Sequence, residues 1–554
     1  MSTEEKGRDM NRFSKVAKAA AMIAALTLSM SGCGASSNGS GSKSSQDSYD
    51  KTAIITTNGS EPLNPLTPVQ SVESGGAKVA TQLFAGLVTY SSDGKPVLDA
   101  AESITPNDDS TEWTVKLKSG WTFTNGEKMT SDSFIDSWNY AAKLSNGLQA
   151  ASYFSNIQGY SDSKDSDLTG VKKVDDLTFT VALNKPESDF LMRLGYVAFA
   201  PMPSVAFDDM KAYGEHPIGN GPYKMASDSA WHHDQKIELV ANPDYKGVRQ
   251  PKNGGITFNL YTSLNSAYAD VQSDNLDILD TLPDSAIKSA DTAFKGRNVN
   301  QAAAIFQSIS IPYYLEHWSG EEGTLRRQAI SYAINRGTII QKIFNGTRTP
   351  ATDFSSPVVD GYSKSLEGSD VLSYNADKAK ELWAQANAIS DYGDNTFYIA
   401  YNADGSHKAW VDAVCNSIKN TLGINAEGDP YPTFSASLED RLGAKLKGAT
   451  RAGWQADWPS LFNFLNENYR TGASSDLEGY SNSEFDKLID EGAASTSSED
   501  AIKKFQQAEE ILLKDLPSVP LWYQNVNGVW STKVSNVNFG WDSVPIYYEV
   551  TKSK

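Results

Sequence analysis

The chain has 554 residues, more than one hydrophobic core usually serves, so at least two lobes are expected. Hydrophobic residues make up 39% and aromatics 10%, with 12 Trp and 25 Tyr, which excludes a disordered chain and supplies material for ligand-binding surfaces or packed cores. The formal net charge is −19, a field that repels phosphate backbones and excludes nucleic acid as a partner.

Arg12, Lys15 and Lys18 precede an apolar run over 19–30. That run is shorter than the roughly 20 residues a bilayer span needs, and fits the core of a secretory signal. Glu4, Glu5 and Asp9 are unusual so close to such a run, so Met10 is an alternative start. The run ends in Leu28-Ser29-Met30-Ser31-Gly32-Cys33, which resembles a bacterial lipobox. In that reading residues 1–32 are removed, Cys33 is lipidated, and the Ser- and Gly-rich stretch within 33–51 is a flexible tether. The protein is then held on the outer face of the cell membrane.

Beyond the tether, β-rich and helical runs alternate. Strands are expected at 53–57, 113–117, 178–183, 236–240 and 519–523. Helices are expected at 76–87, from Ser131 or Asp132 as N-cap, and at 325–344, 377–388, 406–422 and 499–516. The mixture predicts α/β lobes. Cys415 lies in a helical apolar pattern and has no partner once Cys33 is acylated, so it reads as a buried structural thiol.

Catalytic signatures are missing: no Gly-x-Ser-x-Gly elbow, no phosphate loop, no His-Glu-x-x-His and no Cys-x2-Cys. The five histidines include the adjacent pair His232-His233, expected in a surface loop and poorly placed to share a metal. The chain is therefore read as a non-enzyme without metal or cofactor.

Trp113-Thr114-Val115-Lys116-Leu117 through Gly120-Trp121-Thr122-Phe123-Thr124-Asn125-Gly126, Gly219-Asn220-Gly221-Pro222-Tyr223, Asn242-Pro243-Asp244-Tyr245 and Leu325-Arg326-Arg327-Gln328-Ala329 occur in order. Together they resemble the family 5 extracellular solute-binding proteins of bacterial ABC importers. The resemblance implies an α/β two-lobed periplasmic-binding-protein clamshell with an extra subdomain on the N-terminal lobe. It places lobe I at 52–74, 198–300 and 526–554, the extra subdomain at 75–197, and lobe II at 301–525. The implied role is capture of short peptides for delivery to an ABC permease driven by ATPase subunits, by a monomer anchored through lipid. Alternatives are another cargo (an oligosaccharide, a nickel complex or haem) or a non-transport sensor lipoprotein.

Arg451-Ala452-Gly453-Trp454-Gln455-Ala456-Asp457 resembles the oligopeptide binders most. There the Asp holds the peptide's α-ammonium, a role carried to Asp457. Arg451 is implied as a cation near the carboxylate end, a structural ion pair being the alternative. Glu61 and His407 match ligand-region positions. Tyr153, Tyr431 and Trp454 are candidate pocket walls or ordinary packing residues. Extra residues at 431–450 leave the family's usual Arg without a clear counterpart, with Arg441 a candidate in its place.

Overall fold

The computed structural model describes residues 49–553, apart from 72–73, 284, 404–406, 433 and 474. The signal, Cys33 and nearly all of the tether lie outside the described residues. Two 13-residue strands, Asn298–Ser310 and Ser518–Trp530, form the spine of the molecule. They pair antiparallel, from Asn298 opposite Val529 to Ser310 opposite Ser518. Among the described residues, a twelve-stranded sheet is built outward from this pair. Ile278–Leu279, Ile54–Gly59, Gly255–Leu260, Lys236–Ala241 and Tyr223–Met225 follow on one side; Ala449–Gln455, Thr396–Asn402 and Asn425–Tyr431 follow on the other.

The register of the long pair shifts between Ala302 and Phe306. An irregularity of this kind bends a strand and re-aims the residues beyond it. The hydrophobic core changes at the same place. Val526 packs with a core that runs from Ile55 to Ile278 and returns at Val534 to Val550. Trp522 and Tyr523 pack with a second core, built mainly from Ala304 to Tyr523. These two large cores, with a small third cluster around Val271, Leu279, Phe294 and Val529, lie on one continuous sheet and make two lobes joined by the crossing strands.

Within the first core a separate four-stranded sheet, made by Ala101–Pro106, Glu112–Leu117, Val171–Asp175 and Thr178–Ala182, carries the helix Ser131–Ala142. Glu112–Leu117 alternates buried and exposed along its length, the period-2 pattern of a half-buried strand. Phe134, Trp138, Phe179 and Phe199 are fully buried between helix and sheet, and Trp138 Nε1 donates to Phe199 O at 3.0 Å. Burial of each Phe contributes about 1.5–3 kcal/mol. The bonded indole nitrogen avoids the penalty of a lone buried donor.

Three helix expectations are corrected. The run expected at 76–87 is helical only over Ser74–Leu83. Asn220 takes the next peptide group, its Oδ1 accepting from Ala85 N and its Nδ2 donating to Ala85 O. The N-cap of Ser131–Ala142 is Thr130, one residue before the expected Ser131 or Asp132; its N–H donates to Ser133 Oγ. The single helix expected at 325–344 is two, Gly320–Ala333 and Arg336–Ile343. Asn335 breaks it by capping the second, its Oδ1 accepting from Thr338 N at 3.0 Å. The buried Arg336 then locks the corner, donating to Pro520 O and to Ser331 O and Oγ. Cys415 is free and buried, and burial pushes its thiol pKa up to about 12. No helix among the described residues is long and apolar enough to cross a membrane.

Candidate functional site

A cavity of about 1240 Å³ lies between the lobes. Lys78, Tyr90 and Tyr196 line it from one lobe; His407, Trp522 and Asp457 line it from the other. The strand Ala449–Gln455 leads into it. On one side this strand pairs with Asn298–Ser310 from Thr450 to Gln455. On the other, Thr396–Asn402 reaches only Ala449 and Thr450. From Ala452 to Gln455 the outer edge has no strand partner among the described residues. An unpaired edge inside a cleft is a template for an added extended chain.

Asp457 stands just past the end of this strand. Its Oδ1 accepts from Tyr153 OH at 2.9 Å, and its own N–H donates to Asn463 Oδ1 at 3.2 Å. Burial holds its carboxyl above the usual range, against the hydrogen bonds from Tyr153 and Asn463 and the charge of Arg193. Tyr153 packs against Tyr196 with centroids 4.5 Å apart. Beneath them Arg193 Nε donates to Glu187 Oε1 at 2.6 Å, and its guanidinium lies 4.6 Å over Trp458. The Trp458 indole donates to Asp189, whose pKa burial lifts to about 7. Asp457 thus sits at the seam, steadied by residues of both lobes, with no ion-pair partner among the described residues.

The other candidate residues fall in different places. His407 lines the large cavity as N-cap of Lys408–Leu422, and its Nδ1 accepts from Trp410 Nε1 at 3.1 Å. Arg451 and Trp454 line a smaller cavity of about 330 Å³, together with Arg441, Asp476 and Glu478. Arg451 Nε donates to Asn402 Oδ1 at 2.8 Å, and Trp454 Nε1 to Asn463 Oδ1 at 2.9 Å. Arg441 forms a two-pronged pair with Glu478 at 2.9 and 3.2 Å. Tyr431 donates to Asp440 and lines neither cavity. Glu61 also lines neither: its Oε1 lies 2.7 Å from His233 Nδ1, and its Oε2 accepts from Asp234 N. The other ring nitrogen of His233 faces Glu215 at 3.0 Å, and the Glu61 bond leads in raising its pKa. His232 lies on the short strand Trp231–His232 and His233 in the turn after it. Among the described residues no group of three or more His, Cys, Asp or Glu is arranged to hold a metal.

Asn463 carries no sequence motif. It is fully buried and its one oxygen accepts from both Trp454 and Asp457. Its position six residues beyond Asp457, just inside the Ser460-capped helix Leu461–Tyr469, is the only local signal.

Fold and cleft together define a two-lobed binding protein that encloses a ligand between α/β lobes. The model of the bacterial extracellular solute-binding proteins, family 5, matches residues 95–476, and the chain belongs to that family. It is 26% identical over 544 residues to the oligopeptide-binding protein OppA of Bacillus subtilis, covering 93% of this chain and 96% of that one. It superposes on the unliganded open form of MppA, a periplasmic murein tripeptide binding protein, with a TM-score of 0.80 at 20% identity, covering 91% of this chain and 98% of the other. On OppA of Haemophilus influenzae in complex with the peptide RPPGFSPFR the TM-score is 0.68 at 23% identity, covering 92% and 100%.

Proposed function

We propose that the protein captures short peptides in the cleft and delivers them to the permease of an ABC importer. The observation that carries this reading is the strand edge from Ala452 to Gln455, which has no strand partner among the described residues and leads to the carboxylate of Asp457, itself without an ion pair among them. A peptide added to that edge exchanges main-chain hydrogen bonds whatever its side chains are. Its α-ammonium then meets Asp457 and supplies the cation that the carboxylate lacks. The cavity exceeds the roughly 300–1,000 Å³ of a small-molecule site, as a multi-residue ligand requires. Closure of the two lobes about the shifted register at 302–306 would enclose the ligand.

In this reading Tyr153 orients Asp457, and His407 offers its imidazole to the ligand. Arg451 serves as a cation near the carboxylate end of the peptide, Glu61 as a side-chain pocket residue, and Trp454 and Tyr431 as pocket walls. Lobe I comprises 52–74, 198–300 and 526–554, the subdomain 75–197, and lobe II 301–525. The lipobox-like segment supports anchoring of a monomer through Cys33 to the outer face of the cell membrane. No bond-making step is assigned to the protein. Titration calorimetry with tetra-alanine and its N-acetylated form tests the reading. The free peptide is expected to bind and the acetylated one to lose most of its affinity. Equal affinities contradict the role of Asp457.

A further inference from the structure

We propose that Asp542 forms a side-chain subsite of the cleft that selects a lysine or arginine near the amino end of the bound peptide. This rests on the peptide reading above and adds a preference to it.

The argument starts from the charges that line the large cavity. Three carboxylates do so, Asp280, Asp457 and Asp542, with three cations, Lys78, Arg249 and Arg348. Lys78 is paired with Asp280, which Asn58 Nδ2 also holds at 2.8 Å. Arg249 donates to the carbonyls of Thr81 and Phe84 and lies 3.5 Å from Asp99. Arg348 donates to Thr347 O, and its guanidinium lies 4.8 Å over Phe344. These three cations are engaged by their own surroundings. Among the described residues Asp457 and Asp542 have no ion pair, and Asp457 is assigned to the α-ammonium.

Asp542 is held outward by a tight turn. Its Oδ1 accepts from Val544 N at 3.0 Å, and Gly540 N donates to Val544 O at 2.8 Å. Between them Ser543 takes φ 71°, the left-handed region that a serine rarely occupies. The residue keeps surface open to the cavity, while burial pushes its carboxyl pKa up to about 6 against the Val544 N–H and the charge of Lys78. The cavity walls here are aromatic. The preceding Trp541 packs edge-on to Tyr90 with centroids 5.3 Å apart, and Tyr547 borders the same space. A carboxylate among aromatic faces suits an ammonium or guanidinium on an apolar stem.

Tyr90, whose hydroxyl donates to Met192 O at 2.6 Å, lines the same cavity as Asp457 and Asp542. One ligand held by its amino end at Asp457 can therefore bring an early side chain to Asp542 within that cavity.

Calorimetry on the full-length chain tests this. Tetra-alanine peptides carrying lysine at each position in turn are compared with the same peptides carrying norleucine, which keeps the stem and removes the charge. At one of the first positions lysine is expected to bind about ten- to a hundredfold more tightly. The Asp542→Asn variant is expected to bring that pair to equal affinity. Equal binding of lysine and norleucine peptides by the unaltered protein at every position overturns the subsite and leaves the peptide reading standing. Failure of every peptide to bind overturns both. A lysine preference that survives Asp542→Asn also overturns the subsite.

Discussion

Replacing Asp457 by Asn separates recognition from stability, because the two effects have opposite signs. The amide keeps an oxygen for Tyr153 and leaves the Asn463 bond to the backbone N–H untouched. Folding is therefore undisturbed. The carboxyl pKa is raised by burial, so the native state holds its proton to higher pH than the unfolded chain does. Stability from this site is then greatest at low pH and is lost as pH rises through the window above 3.8. Asn removes that loss, and the unliganded variant is expected to melt no lower than the parent at neutral pH. Binding goes the other way. A closed cleft that holds an ammonium without its carboxylate costs about 3–5 kcal/mol, roughly a hundred- to several-thousand-fold in affinity. A cycle of parent and variant against free and N-acetylated tetra-alanine, read by calorimetry, isolates the pair. The acetylated peptide is expected to bind both proteins alike, within about threefold. Equal losses for free and acetylated peptide refute the reasoning.

Asn335→Ala removes the cap between the two helices expected as one, and should lower stability by about 0.5–2 kcal/mol in urea unfolding; no change means that the cap is not needed. Glu509 is fully buried, and burial and the neighbouring Asp353 carboxylate push its pKa well up, so its contribution to stability falls as pH rises above its unfolded value. Glu509→Gln should flatten the decline in melting temperature as pH rises above 4.5; parallel curves count against it. Cys415 should resist a thiol reagent in the native protein and react on unfolding, because its sulfur is buried and its thiol pKa is about 12.

Much of the architecture was legible because it is periodic. The helices at 376–389, 408–422 and 498–515 and the half-buried strand at 112–117 show their burial in residue spacing alone. The break at Asn335 was not, since apolar spacing continues past it and the signal is one capping side chain. Asp457 was found through the residues around it, which resemble a known motif. Its partner Tyr153 lies 304 residues away, a pairing that only the assembled lobes create. Arg441 shows the opposite failure. Its residue type suited a carboxylate anchor, while the fold spends its charge on Glu478, a partner 37 residues on. Asp542 carries no motif, and its place in the cleft comes from how the C-terminal segment returns beside Tyr90.

Peptide capture is tested most directly by native mass spectrometry of the protein purified without denaturation. A series of excess masses that fragment as short peptides with free amino ends is the predicted result. A single sugar, haem or metal-complex mass would contradict peptide capture and the role given to Asp457, while leaving the two-lobed fold and the family in place.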